Sequence, residues 1–305
     1  MEEQEFNVDA TLPALITRAA SRQTYYTIRF LADHDRVSDA YRAYAYFRWV
    51  DDWLDRATLE KAERIAFVKR QQALVDCCYQ ARWPCDLAAE ERILVDLIRS
   101  DKEQNSGLQS YVRNLMAVMV FDAQRRGRLI AQEELAEYSR RLSTAVTEAL
   151  HFFIGHPDYS PSSEARYAAV TAAHITHMLR DTFEDITAGY FNIPCEFLRF
   201  YGIDPCDVGS DGYRLWVKSR VRLARDYFKV GQRYLARVKN LRCRLAGYAY
   251  MARFQGVLEA IERDDYWLRP EYQECRGLRT GLRMCRAVVS ASRAFDFSSW
   301  SPSQR

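Results

Sequence analysis

Glycine and proline are scarce in this 305-residue chain, at 12 and 8 residues, and the stretches 85–156 and 206–269 contain no proline at all. Turn-rich architectures built from short strands need both residues as punctuation, so a strand-based fold is not expected. No apolar run approaches the roughly 20 residues that span a bilayer. The start, MEEQEFNVDATLPAL, lacks the basic region and apolar core of a secretory signal. A cytoplasmic protein is expected. Eight cysteines (Cys77, Cys78, Cys85, Cys195, Cys206, Cys243, Cys275, Cys285) form no CxxC pair and no disulfide-type spacing, which points to reduced thiols. The net charge of +3 is small and no compact Lys/Arg tract occurs, so no nucleic-acid partner is expected. Histidine is rare too: His34, His151, His156, His174 and His177 are the full set.

What remains is apolar and aromatic. With 48% apolar, 13% aromatic and 28% charged residues, the chain can bury a large core and stay soluble. Apolar positions in 87–98, 134–153 and 216–238 recur at steps of three and four, the helical period. That spacing predicts about ten helices, near 12–31, 36–55, 59–80, 87–101, 108–126, 132–154, 164–187, 210–239, 244–262 and 276–290. Breaks fall at Asp33–Asp35, Trp83–Pro84, Asn105–Gly107, Gly155–Pro161, Asn192–Pro205 and Leu268–Pro270. No repeat or linker interrupts the pattern. One all-α domain over 1–305, with a core at about 15–290, is the expected architecture.

Two stretches place acids among apolar neighbours. In YAYFRWVDDWLD (44–55), Asp51 and Asp55 lie four apart, so on a helix their carboxylates share one face, with Asp52 beside them. Arg48 can answer one of these charges, not three. In HMLRDTFEDITAGYFNIP (177–194), Asp181 and Asp185 repeat the spacing, Glu184 lies between them and Arg180 precedes them. His174 and His177 continue that stripe toward the N-terminus. A lone i,i+4 acid pair is ordinarily a solvated helix face. Two such pairs, each with an arginine and packed aromatics, suit hard divalent cations, and magnesium typically adds substrate phosphates to one or two carboxylates. A metal-bound diphosphate is the expected ligand.

These residues resemble the squalene/phytoene synthase family of head-to-head prenyltransferases. YAYFRWVDDWLD is similar to its first aspartate-rich motif and LRDTFEDITAGYFNIP to its second. SRQTYY (21–26), FDAQRRGRLIAQEELAEYSRRL (121–142, with Asp122 and Tyr138 in place) and GVLEAIERDDY (256–266) follow in the family's order. The resemblance covers roughly residues 15 to 285. The chain departs from the family where His174 and His177 replace Gln and Asn, where Leu142–Thr147 replaces a Gly-containing small-residue stretch, and where Phe254 replaces a Tyr.

The resemblance implies a single-domain helical bundle of the isoprenoid synthase type with a central cavity. It also implies an activity: condensation of two prenyl diphosphates, C15 or C20, through a cyclopropylcarbinyl diphosphate. About three Mg2+ ions would be held by Asp51, Asp52, Asp55, His177, Asp181, Glu184 and Asp185. Arg48 and Arg180 would grip the departing diphosphate, with Tyr26 and Tyr138 orienting it or facing the cation. Trp49, Trp53, Phe152, Phe153, Tyr190 and Phe191 either line an apolar chamber or pack an ordinary core. NADPH is left open, because relatives that use it need no Gly-rich fingerprint.

Residues 213–244 carry eleven Arg/Lys against one acid, Asp226. This is either a solvated basic face, or a site where Arg220 or Arg222 reaches a substrate diphosphate, or a peripheral contact with anionic lipid. Three rival readings stand beside the condensation: ionisation of one prenyl diphosphate as in class I terpene synthases, a His/carboxylate redox metal site, and a non-catalytic assembly partner. The redox reading lacks the Glu-x-x-His pair of ferritin-like bundles.

Overall fold

The computed structural model describes residues 8–56, 58–155 and 163–272, with backbone alone for 8–11. The helix expected at 276–290, with Cys275, Cys285 and His156, lies outside them. Among the described residues are twelve α-helices, two 3-10 turns and no strand, apart from an isolated bridge between Ile130 and Pro194. The described cysteines are free thiols. The described residues group into two compact units, one drawn from Met1–Gln124 and Glu148–Pro157, the other from Arg125–Thr147 and Asp158–Arg305.

The first unit contains α1 (Val8–Ala20), α2 (Arg22–Leu31), α3 (Val37–Leu54), α4 (Lys61–Tyr79), α5 (Ala89–Ser100) and α6 (Gly107–Arg125) as far as Gln124. Helix α3 is its centre, with Ala45, Tyr46, Val50 and Leu54 buried. A buried phenol needs a partner. Tyr46 donates to Gln71 Oε1 at 2.9 Å, and the Gln71 amide donates to buried Glu91 at 2.8 Å. Two Arg70 N–H bonds, each 2.8 Å, complete the chain. They are the main reason the Glu91 carboxyl is held down at about 2. The single helix expected over 12–31 is two, because Ser21 caps the second: its Oγ accepts from the Thr24 N–H at 3.2 Å.

The second unit contains residues 132–147 of α7 (Gln132–Phe153), then α8 (Ala168–Arg180), α9 (Thr182–Ala188), α10 (Cys195–Tyr201), α11 (Asp211–Leu235) and α12 (Leu241–Arg263). Helix α8 buries Ala168, Ala169, Ala172 and Ala173, and these small side chains let α11 come very close. A Cβ on Gly231 would sit 2.7 Å from Ala169 Cβ and 2.8 Å from its Cα.

Two sequence expectations fail locally. The helix expected over 164–187 is a 3-10 turn (Glu164–Tyr167), then α8 and α9, with Asp181 at the junction (φ −97°, ψ 9°). Thr182 Oγ1 donates back to the Met178 carbonyl at 2.9 Å, the kind of side-chain bond that competes with a straight helix. Helix α10 lies inside an expected break. Seven residues between Pro194 and Gly202 are too few to display a period.

Candidate active site

The first acidic set belongs to α3. Its polar edge carries Arg48, Asp51 and Asp52, with Asp55 as the C-terminal cap. Arg48 Nη1 lies 3.2 Å from Asp51 Oδ2 while Nη2 donates to Asp52 Oδ1, so one guanidinium is divided between two carboxylates. Asp51 keeps 41% of its side chain accessible, yet it lies deep enough among protein atoms that desolvation dominates its titration. Burial first, then the charge of Asp55, with smaller contributions from Asp122 and Asp52, push its carboxyl up to about 7 against the pull of Arg48. Asp122, on α6, is a member of this set that acid spacing within one helix could not find. Its only signal was its place in FDAQRRGRL.

Around this set the aromatics pack against one another. Trp53 stacks on Phe67 of α4 at 3.8 Å between ring centroids, and Trp49 meets the same ring edge-on at 5.4 Å. Phe152 and Phe153 are buried, edge to face at 5.1 Å. Tyr26, on α2, is 48% exposed and stacks on Phe30 at 6.0 Å. Tyr44 of α3 is a further hydroxyl here, hydrogen-bonded with Thr24 and Ser21 and pushed up by burial.

The second acidic set spans the α8–α9 junction. Arg180 grips the Asp181 carboxylate with two N–H bonds, and His177 Nε2 lies 3.3 Å from Asp181 Oδ2. The backbone bond from the Asp185 N–H to the Asp181 carbonyl, 2.8 Å, keeps the four-residue spacing through the bend. Asp185 accepts from Asn192 Nδ2 at 2.7 Å, and Asn192 Oδ1 in turn accepts from Arg125 Nη1 at 2.8 Å. The chain returns for that contact because Gly189 takes φ +86°, where a side chain would be strained. Glu184 lies in the first turn of α9.

Arg125 is buried, 4.8 Å above the rings of both Tyr138 and Tyr190. Tyr138 lies 5.2 Å from the His174 ring. His174 itself is buried, its Nε2 has no hydrogen-bond partner among the described residues, and burial, His177, Arg125 and Arg220 drive its pKa down to about 3. His177 keeps 51% of its side chain accessible, yet it too lies deep among protein atoms, so that desolvation and then Arg180 lower it to about 4, although Asp181 opposes them. Both rings are therefore neutral at pH 7. Arg125 and Asn192 were not singled out from the sequence, since the bond that joins them links positions 67 residues apart.

On α11 the basic stripe is largely matched within the chain. Arg214 pairs with Asp265, Arg225 with Glu262 and Lys229 with Asp226. Arg222 is exposed. Arg220 is half-buried in the wall of a separate recess described below.

Among the described residues, no three His, Cys, Asp or Glu side chains form a ready-made metal cage. Magnesium does not require one, since it retains waters and takes phosphate oxygens. The donor chemistry fits such an ion: the α3 set is all carboxylate oxygen, and the raised Asp51 carboxyl is a group that a nearby cation would return to the ionised form.

Comparison with known proteins matches the squalene/phytoene synthase family model to residues 17–283. A chloroplastic phytoene synthase of Daucus carota is 29% identical over 118 residues, covering 36% of this chain and 29% of that protein. A 15-cis-phytoene synthase of Synechocystis sp. is 30% identical over 112 residues, 35% of this chain and 33% of that protein. The matched part thus spans about a third of these curated relatives. Among solved structures, a dehydrosqualene synthase in complex with ligand superposes with a TM-score of 0.71 at 15% identity, covering 95% of this chain and 99% of that one. Squalene synthase HpnC from Alicyclobacillus acidocaldarius gives 0.67 at 19% identity, covering 86% and 95%.

Proposed function

Because this chain belongs to the squalene/phytoene synthase family, we propose that it acts as one catalytic domain condensing two prenyl diphosphates head to head. The substrates are farnesyl or geranylgeranyl diphosphate, and the product is a squalene-, dehydrosqualene- or phytoene-type hydrocarbon. The observation that carries this reading is the α3 cluster, where burial first and then the neighbouring carboxylate of Asp55 hold the Asp51 carboxyl near 7 beside a guanidinium already shared by two carboxylates.

In this reading Asp51, Asp52 and Asp55, with Asp181, Glu184, Asp185 and His177, would hold magnesium. When bound, it supplies charge neutralisation to the leaving diphosphate. Arg48 and Arg180, now resting on the aspartates, turn their N–H forks to phosphate oxygens, a geometry guanidinium matches well. The C1–O bond of one substrate breaks, and its diphosphate leaves with the electron pair. The 2,3-double bond of the second substrate attacks the allylic cation, and loss of a proton closes the cyclopropane. Departure of the second diphosphate and rearrangement join the two C1 carbons. Tyr26 and Tyr138 orient the diphosphate or face the cation. His177, neutral and half-exposed, stands where relatives carry Asn. The product dissolves in membranes, and contact with an anionic lipid surface through the Arg222 side of α11 is a finer part of the reading.

Incubation with each prenyl diphosphate and Mg2+, with and without NADPH, followed by product analysis, tests the proposal. A C30 or C40 head-to-head hydrocarbon, lost on chelation, is the expected result. A product made from a single substrate molecule overturns it.

A further inference from the structure

A recess of about 370 Å³ lies within the second unit, walled by α7, the 3-10 turn with α8, and α11. Its floor is buried: Leu135 and Ser139 of α7, Ala168 and Ile175 of α8. Leu223 and Tyr227 of α11 form a lip that leaves 37% and 36% of their surface exposed. It is not the aspartate site. At about 100° per residue, Ile175 and Thr171 point well over 100° round α8 from His177.

Two polar groups in this recess have no hydrogen-bond or ion-pair partner among the described residues. Arg220 stacks over Trp216 at 5.0 Å but makes no hydrogen bond or ion pair with a described residue. Burial lowers its pKa to about 10, a cost that an anion beside it would offset. Ser139 is 7% exposed, and its Oγ has no hydrogen-bond partner among the described residues. The other charges in the wall are Arg140, which is held by Glu137, and Glu164, which faces Arg140. Ser143 and Thr171 donate to backbone carbonyls of their own helices and keep acceptor capacity only.

We propose that this recess binds a small amphipathic carboxylate, its head on the Arg220 guanidinium and its apolar body against Leu135, Ala168, Ile175 and Leu223. One unpaired guanidinium matches one carboxylate, whereas a phosphate dianion would meet Glu164 on the rim. The volume is roughly that of a dozen waters, which suits a body of about eight carbons and is too small for a C15 diphosphate. The site would operate whatever the chain's reaction, because none of the aspartates takes part.

Isothermal titration of the full chain with octanoate, in the absence of prenyl substrates, tests this. Saturable one-to-one binding is expected, with octanol and octyl phosphate each at least tenfold weaker. Arg220→Gln should weaken octanoate at least tenfold. Ala136→Leu, an exposed substitution that narrows the recess without touching the core, should do the same. Absence of saturable octanoate binding, octyl phosphate binding as tightly, or unchanged affinity in a folded Ala136→Leu protein overturns the proposal.

Discussion

Asp51 titrates far from an ordinary surface carboxylate, because it is desolvated and lies beside Asp55. Its folded-state pKa of about 7 lies above the ordinary carboxylate value, so the folded protein binds the extra proton between about pH 4 and 7. Stability from this group is complete below that window and is lost as pH rises through it. Asp51→Asn should therefore stabilise the metal-free protein at pH 8 and not at pH 4. With 41% of the side chain exposed, screening trims the gain to about 1 kcal/mol. Urea denaturation at both pH values checks this, and equal gains at the two would refute the assignment. The same substitution should depress turnover strongly if the carboxylate holds the metal. Glu91 is the opposite case, a buried carboxylate with several donors. Its contribution is present above pH 4.5 and is lost as pH falls toward about 2. Glu91→Ala should cost about 3 kcal/mol at pH 7, read from the same denaturation curves.

At the scale of elements, the contact of α8 with α11 depends on small residues. A methyl group at Gly231 would meet Ala169 backbone and Cβ atoms closer than 3 Å, and neither helix has a flexible side-chain end there to give way. Gly231→Ala should destabilise by about 2–3 kcal/mol, although alanine is the better helix former. A rise in melting temperature would contradict the packing. Most helices were legible because three- and four-residue apolar spacing needs only sequence neighbours. The division at Ser21, the bend at Asp181 and short α10 were not, because a cap, a back-bonded threonine and a seven-residue helix each leave the period unmarked.

For the whole molecule, acid sensitivity follows from the two imidazoles of the second unit. Their folded pKa values, about 3 for His174 and about 4 for His177, lie below the ordinary 6.5 of an unfolded chain. The unfolded state binds more protons as pH drops below 6.5, so stability from these groups is complete above that value and declines toward pH 4. His174→Gln should flatten that slope relative to wild type by on the order of 2 kcal/mol over the window; an unchanged slope would sink the explanation. The sequence by itself determined the helical class, the two acidic motifs and the family, since period, spacing and residue order are all properties of neighbours along the chain. Only the tertiary structure decided that Asp122 presses on Asp51, that Asn192 and Arg125 hold Asp185, that His174 stays neutral and that Arg220 faces a recess. Burial and Coulomb fields are set by atoms close in space, and these come from positions far apart in sequence, as Asp51 and Asp122 do, that no local pattern connects.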